Sequence, residues 1–295
     1  MLMNQTESRI RVLLETTIQI HRVVDDPDER ARINGELNNK DVCTTTFVLR
    51  EFLRTVIQDL SFVHSTAREA GAKDGKVALS KVARLLASKP LGFSARAAKR
   101  VQYVIAAILE QFEQQNVPLG KLLTFLEMTA QQWIEDFFEI RHGTGSYLKI
   151  PEDQCLNALD EPPDEMDRWL RDHYPIPPPP PFPNGASSFL QKKRQLVQAV
   201  EHAMLEATAK NRDLALLKIL GRLRDANTKY DFAKLSARMR GNWALGDLLI
   251  ALESPQDAHI YTTDRHYEVI CRAIGTIRWK GYLPHKAATT EERES

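Results

Sequence analysis

Short apolar runs followed by amphipathic helical patterns stand at both ends of the chain. The run IRVLL precedes TTIQIHRVV, VCTTT precedes FVLREFLRTVIQDL, and AHIYT precedes TDRHYEVICRAIG. Apolar residues recur three or four positions apart in each helical stretch, whereas the preceding runs have the length and β-branched character of strands. Strands that alternate with helices predict an α/β fold with a short parallel sheet.

The part of the chain between these units reads as mostly helical, from residue 63 to residue 240. The run PIPPPPPFPNG, residues 175–185, predicts an extended connector, because proline lacks the amide donor that helices and central strands need. The polar end, residues 284–295, predicts disorder. We therefore expect a core in two parts, residues 1–62 and 241–283, split by a large helical insertion.

The stretch from Asp25 to Lys40 separates the first predicted helix from the second predicted strand. It is polar, and a proline with acidic neighbours at its start ends the preceding helical pattern. The sequence therefore predicts a polar connection at this place.

Charge is distributed unevenly along the chain, although the formal net charge is only +1 at pH 7. Between Arg68 and Arg100, nine basic residues stand against two acidic ones. A local excess of this kind can bind a polyanion such as nucleic acid.

The three cysteines have no CxxC spacing, which argues against a disulfide framework and a zinc site. No stretch approaches the roughly 18 to 20 apolar residues of a membrane span. These features predict a cytoplasmic protein without a membrane partner.

Acidic residues stand where the predicted strands end and the next helices begin. Glu15 follows IRVLL, Asp264 follows AHIYT, Glu51 lies early in the helix after VCTTT, and Asp247 lies in the predicted first turn of GDLLIAL. Because parallel sheets bind ligands at the carboxyl ends of their strands, we expect these four carboxylates to converge. Crowded carboxylates repel one another, and a divalent cation relieves that repulsion. Oxygen ligands suit Mg²⁺ or Mn²⁺, which can activate water for phosphodiester hydrolysis.

The segments LLETTIQIHRV, TTTFVLREFLR, GDLLIALES and YTTDRHYEVI resemble, in this order, the four acidic motifs of PIN-domain nucleases. The resemblance covers roughly residues 8–62 and 241–282. It implies a PIN-like three-layer core and a metal-dependent nuclease that acts on RNA in preference to DNA. The implied metal ligands and catalytic residues are Glu15, Glu51, Asp247 and Asp264. The family usually has Asp at the first position, so Glu15 is the main departure.

Several further residues near the motifs are candidates for contacts with nucleic acid. These residues are Thr16, Thr263, Arg96, Lys99 and Arg100. Helix capping is the alternative role for the threonines, and a solvated helical face is the alternative for the basic residues. His266 lies next to the last motif, where a role at the surface or core edge is favoured over catalysis.

Each predicted ligand also has a simpler structural interpretation. Asp247 can offset a helix dipole, Asp264 can be the N-cap of the last helix, and Glu51 can belong to an ion-paired helix face. Glu15 carries an additional methylene, which displaces its carboxylate relative to that of Asp. The alternative to a ribonuclease is therefore an inactive PIN-like scaffold whose insertion binds a protein or RNA partner. A DNA endonuclease of the same chemistry is a third interpretation.

Overall fold

The computed structural model describes residues 9–24, 27–88, 105, 117–138, 185–224, 229–235 and 243–279. Within these residues the fold is mixed α/β and mostly helical, with one small sheet, as predicted. The chain divides into two compact units. Of the described residues, the first comprises 9–24, 27–48, 185–224, 229–235 and 243–279, and the second comprises 49–88, 105 and 117–138. The described residues between 185 and 235, which the sequence places in the insertion, thus belong to the same unit as the sheet.

The sheet of the first unit has four parallel strands in the order β2-β1-β3-β4. The strands are β1 (Arg11–Leu14), β2 (Asp41–Cys43), β3 (Ala258–Tyr261) and β4 (Ile277–Trp279). In the central strand β1, Val12, Leu13 and Leu14 are all fully buried. Burial of successive residues means that both faces of the sheet are covered, as is usual for parallel strands.

Along the chain, the described α-helices all lie between these strands. In chain order they are α1 (Thr16–Val24), α2 (Pro27–Glu36), α3 (Thr46–Phe52), α4 (Gln58–Glu69), α5 (Gly75–Ser88), α6 (Leu119–Phe138), α7 (Gly185–Lys192), α8 (Arg194–Glu206), α9 (Leu214–Leu223), α10 (Trp243–Glu253) and α11 (Tyr267–Ile274). A π-helical segment, Leu53–Ile57, joins α3 to α4, and a 3₁₀ turn covers Phe232–Lys234. The division between the two units falls within α3.

Helix α2 lies within the stretch from Asp25 to Lys40, so the prediction of a polar connection there is wrong. The helix begins with proline at its first position and has two acids in its first turn, an arrangement that suits a helix start. Arg32 forms ion pairs with Glu29 and Glu36, one turn away on either side. Ile33 is the single buried residue of α2. The helix therefore lacks the apolar periodicity by which a buried helix is recognised.

Strand β4 is absent from the sequence prediction. It has only three residues, and its central residue is Arg278. Each of its residues is partly or fully exposed, because β4 is the edge strand of the sheet. A short run with a charge at its centre does not resemble a buried strand. The strand β4 is therefore recognised from its pairing with β3 in the structure.

The second unit is helical in its described residues. Helices α4, α5 and α6 contribute Val63, Leu79 and Leu122 to one apolar core. The start of α5 lies close to the chain before α6, where Gly75 N donates a hydrogen bond to Val117 O at 2.7 Å. A Cβ atom at position 75 would lie 3.0 Å from that same carbonyl oxygen. Glycine therefore permits the close approach of these two segments.

Several predicted features lie outside the described residues. These are the proline-rich connector up to residue 184, the tail 284–295, and the candidate contacts Arg96, Lys99 and Arg100. Among the helices that are described, none combines the length and the apolar character needed to cross a membrane.

Glu201 is a buried acid of the first unit that joins α8 to the chain after α9. Arg224 Nε donates to Glu201 Oε2 at 3.1 Å, and the Tyr230 hydroxyl donates to the same oxygen. Burial, followed by the hydrogen bond to Glu201, raises the pKa of Tyr230. Tyr230 therefore stays protonated as a donor to a carboxylate that is only 5% exposed.

Tyr230→Phe is expected to lower the free energy of unfolding by about 1 to 3 kcal/mol, because a buried carboxylate loses a hydrogen bond. The measurement is urea denaturation followed by circular dichroism. Lys234→Gln is the control, since Lys234 pairs with Asp231 at 3.6 Å on an exposed surface, where such pairs contribute little. Equal effects of the two substitutions would contradict a stabilising role for the buried contact.

Candidate functional site

The carboxyl ends of β1 and β3 lie side by side at the centre of the sheet. From β1 the chain continues to β2 on one side, whereas from β3 it continues to β4 on the other. Leu14 pairs with Tyr261 at the last position of both strands, and Glu15 N donates to Tyr261 O at 3.2 Å. Connections that leave adjacent parallel strands in opposite directions open a crevice, the usual place for a ligand in an α/β sheet.

Glu15 stands directly after β1 at this edge and is 3% exposed. Its Oε1 accepts hydrogen bonds from Thr17 N at 2.9 Å and from Thr17 Oγ1 at 3.3 Å. Its Oε2 accepts a hydrogen bond from Thr262 Oγ1 at 3.4 Å. The longer side chain of Glu thus caps the first turn of α1 and also reaches the residue that follows β3.

The turn after β3 carries Asp264, and two contacts hold it in place. Thr262 is fully buried, and its Oγ1 accepts a hydrogen bond from Asp264 N at 3.1 Å. Arg278, whose side chain is 6% exposed, donates from Nη2 to Thr263 O at 2.9 Å. A side-chain hydroxyl and a guanidinium therefore hold the peptide group between Thr263 and Asp264.

Asp247, on α10, lies in a cluster with residues of two other segments. His266, just before α11, has its Nε2 at 3.0 Å from Asp247 Oδ2, and the Tyr267 hydroxyl donates to Asp247 Oδ1 at 3.4 Å. Asp213 precedes α9 and caps it, accepting from Ala215 N at 2.8 Å. One oxygen from each aspartate and one ring nitrogen of His266 lie within 4.8 Å of one another.

The cluster carries an excess of negative charge. Burial raises the pKa of Asp247, the hydrogen bond and charge of His266 offset part of that effect, and the charges of Asp264 and Asp213 raise it further. Burial acts to lower the pKa of His266, but the bond to Asp247 and the charges of all three aspartates outweigh it, so that pKa is raised. Asp264 therefore belongs electrostatically to this cluster, which favours a bound cation.

Indirect links connect three of the four predicted acids to the same edge of the sheet. The charge of Asp264 contributes to the raised pKa of Asp247, and Thr262 joins the backbone of Asp264 to the side chain of Glu15. Glu51 lies on α3 in the second compact unit and is partly buried. Its convergence with the other three stays a prediction.

The structure does not support a helix-dipole role for Asp247 or an N-cap role for Asp264. Helix α10 begins at Trp243, so Asp247 lies in its second turn, and the prediction of a first-turn position is wrong. A helix dipole acts mainly within the first turn, so Asp247 does little to offset it. The N-cap of α11 is His266, which makes no side-chain capping bond, and Asp264 is not the capping residue.

The two threonines predicted to contact nucleic acid differ in their surroundings. Thr16 is 3% exposed, which leaves it little surface for contact with a polymer. Thr263 is partly exposed, and its carbonyl oxygen is occupied by Arg278. Of the two, Thr263 is the more accessible to a ligand at the sheet edge.

Two residues of the cluster, Asp213 and His266, and the nearby Thr262 are absent from the sequence prediction of the site. Asp213 lies in the region predicted as an insertion, and its visible signal is that of a helix N-cap in RDLALLKILGRL. His266 and Thr262 lie beside Asp264, so the TTDRH segment contained a signal for both. Their roles depend on contacts with α10 and β1, which local sequence does not specify.

Comparisons of this chain with protein-family models, with curated proteins and with solved structures find no match. The parallel sheet, the cluster at its central edge and the ordered acidic motifs are therefore the basis for assigning a function.

Proposed function

We propose that this chain is a PIN-like, metal-dependent nuclease that hydrolyses phosphodiester bonds, with RNA as the preferred substrate. The observation that carries this proposal is the cluster of Asp213, Asp247 and His266, coupled to Asp264 at the central edge of a parallel sheet. Acids at that edge are the arrangement that the four sequence motifs predict.

The side chains of the cluster are suitable ligands for a divalent ion. Carboxylate oxygens suit Mg²⁺ and Mn²⁺, and an imidazole nitrogen is compatible with Mn²⁺. Asp247 and Asp264 would hold the ion together with Asp213 and His266. The charges of three aspartates act on the one imidazole of His266, and a bound cation would reduce the repulsion among those charges.

A divalent ion at this place would polarise a phosphodiester and favour the ionised form of an attacking water. The protein's own groups determine the geometry. Contacts with His266 and Tyr267 orient both oxygens of Asp247, and Thr262 fixes the backbone of Asp264. Glu15 holds Thr262 from the end of β1, so it positions the turn that carries Asp264.

A polyanionic substrate also requires positive charge for binding. Arg68, Lys73 and Lys81, which belong to the basic block of the sequence, are exposed side chains of the second unit. We propose that they contribute to binding of the nucleic-acid backbone. A cytoplasmic location is part of the same proposal, supported by the buried, free thiols of Cys43 and Cys271.

An inactive PIN-like scaffold that binds a protein or RNA is the second candidate function. The bonding of Glu15 favours it, because Oε1 and Oε2 both accept hydrogen bonds from threonine residues of the protein. A carboxylate that is engaged in this way can have a purely structural role. The two candidates differ in whether removal of charge at the cluster changes an activity.

Labelled single-stranded RNA and DNA, incubated with the full chain and either Mn²⁺, Mg²⁺ or EDTA, test the proposal. We expect cleavage of RNA with a divalent ion, none with EDTA, and a loss of at least about 10²-fold in Asp264→Asn. Asp257→Asn is the matched control, since Asp257 is exposed at the opposite, amino-terminal edge of β3. Absence of metal-dependent cleavage, or equal cleavage by Asp264→Asn and the native protein, would overturn the nuclease proposal.

A further inference from the structure

His266 adds a nitrogen donor to a group of residues that the sequence motifs describe with carboxylates alone. Its Nε2 is 3.0 Å from Asp247 Oδ2, and one oxygen each of Asp213 and Asp247 and one ring nitrogen of His266 lie within 4.8 Å of one another. Ligands at about 2.1 Å from a small octahedral ion are about 3.0 Å apart when adjacent and about 4.2 Å apart when opposite. The limit of 4.8 Å is close to the second of these distances, so small side-chain movements allow the three donors to reach one ion.

We propose that Asp213, Asp247 and His266 form a mixed oxygen and nitrogen site that binds a first-row transition-metal ion more tightly than Mg²⁺. The proposal deepens the proposed nuclease function and uses the same place in the fold. Imidazole suits ions from Mn²⁺ to Zn²⁺, whereas Mg²⁺ keeps oxygen ligands and water. Participation of His266 therefore determines which ion occupies the site.

The three donors come from separate elements, so only the tertiary structure brings them together. Asp213 caps α9 through Oδ1, Asp247 projects from α10, and His266 immediately precedes α11. The ring of His266 packs against the ring of Tyr267, with centroids 5.2 Å apart, and Tyr267 is fully buried. Its imidazole is thus supported on one side while Nε2 contacts Asp247.

The distance between Asp247 and His266 suits the site both without and with a bound cation. Without a cation, the separation of 3.0 Å is that of a hydrogen bond between the carboxylate and the imidazole. With a cation, it is also the separation of two adjacent ligands. An ion that replaces the shared proton therefore requires little movement of either side chain.

Calorimetric titration of the full chain with Mn²⁺, Co²⁺ and Mg²⁺ measures the preference. We expect Co²⁺ to bind more tightly than Mn²⁺, and Mn²⁺ more tightly than Mg²⁺, as nitrogen ligation and the order of divalent affinities require. Pulsed electron paramagnetic resonance of bound Mn²⁺ is expected to show coupling to a directly coordinated imidazole nitrogen. Neither measurement depends on nuclease activity.

Two variants identify the donors while keeping local structure. His266→Gln retains an amide donor for Asp247 but no imidazole nitrogen, so we expect at least a 10-fold loss of Co²⁺ affinity, a smaller change for Mg²⁺, and loss of the nitrogen signal. Asp213→Asn keeps the cap of α9, because Asn caps as well as Asp, and is expected to weaken binding of all three ions. His202→Gln, at an exposed position of α8, is the control and should change nothing.

The outcomes separate this proposal from that of a nuclease. An unchanged ratio of Co²⁺ to Mg²⁺ affinity in His266→Gln, or Mn²⁺ binding without a nitrogen signal, would overturn the mixed site even if RNA is cleaved. Tight Co²⁺ binding with the nitrogen signal but no cleavage would support the site and reject the nuclease. Absence of binding by all three ions would reject the metal site itself.

Discussion

Replacement of Asp247 by asparagine is expected to reduce metal-dependent cleavage at least about 10²-fold, since partners one shell beyond a metal ligand already change activity by about 10- to 100-fold. The same substitution is expected to leave the folded protein as stable as the native chain or more stable. Asparagine keeps the shape of the side chain and an acceptor for Tyr267, but it removes the charge. Activity and stability should therefore change in opposite directions.

The stability part of this prediction follows from the pKa of Asp247. Burial raises that pKa, and the contact with His266 offsets only part of the increase. A carboxyl group with a raised pKa contributes stability at low pH, and the contribution is lost as the pH rises through the folded-state pKa. Near neutral pH the charged form thus opposes folding, and asparagine removes this opposition.

Cleavage rates with Mn²⁺ and melting temperatures near pH 7 test both parts for Asp247→Asn. Asp257→Asn serves again as the control, because its side chain is 65% exposed and lies at the other edge of the sheet. A melting temperature several degrees below that of the native protein would show that Asp247 has mainly a structural role. Cleavage that stays within a factor of about two would exclude Asp247 as a metal ligand.

Substitutions of Glu15 are expected to have the second largest effects. Some of them act mainly on stability and others mainly on cleavage. Glu15→Ala should lower the free energy of unfolding by roughly 1 to 3 kcal/mol, because the hydroxyl of the fully buried Thr262 and the amide of Thr17 both lose an acceptor. Glu15→Gln retains one side-chain oxygen for the cap of α1 and should be less destabilising. The nuclease proposal predicts at least a 10-fold loss of cleavage in Glu15→Gln.

Glu15→Asp distinguishes the two roles that this residue combines. Aspartate is a good N-cap, so the first turn of α1 should persist. The contact from Thr262 is already 3.4 Å long, and a shorter side chain would break it. Urea denaturation and RNA cleavage, measured for all three variants, report on the two roles separately. Full cleavage by Glu15→Gln would favour the scaffold alternative.

Parts of the fold with strong local patterns agree with prediction from sequence. Strands β1 and β3 are apolar runs, and α1 and α11 have apolar residues at helical spacing, so burial and periodicity identify them. Helix α2 depends on its first turn and on the ion pairs of Arg32, which leave no apolar stripe. Strand β4 depends on pairing with β3 at the edge of the sheet.

The candidate site shows the same distinction. Glu15 and Asp264 could be predicted because each follows a strand, and the edge of a parallel sheet brings such residues together. Asp247 could be predicted from its motif, although its helix begins earlier than the sequence indicates. Asp213 could not be predicted, because a helix N-cap is a common local role and gives no information about distant partners.

Local sequence was sufficient to specify β1, α1, β2, β3 and α11 in their order and the acids that follow β1 and β3, because strand and helix periodicities are properties of neighbouring residues. Tertiary structure alone placed Asp213 and His266 beside Asp247, since the three residues come from segments with no common periodicity. Their proximity results from the packing of α9, α10 and α11 in one compact unit. Because of that packing, the site has the oxygen donors of Asp213 and Asp247 and the nitrogen donor of His266.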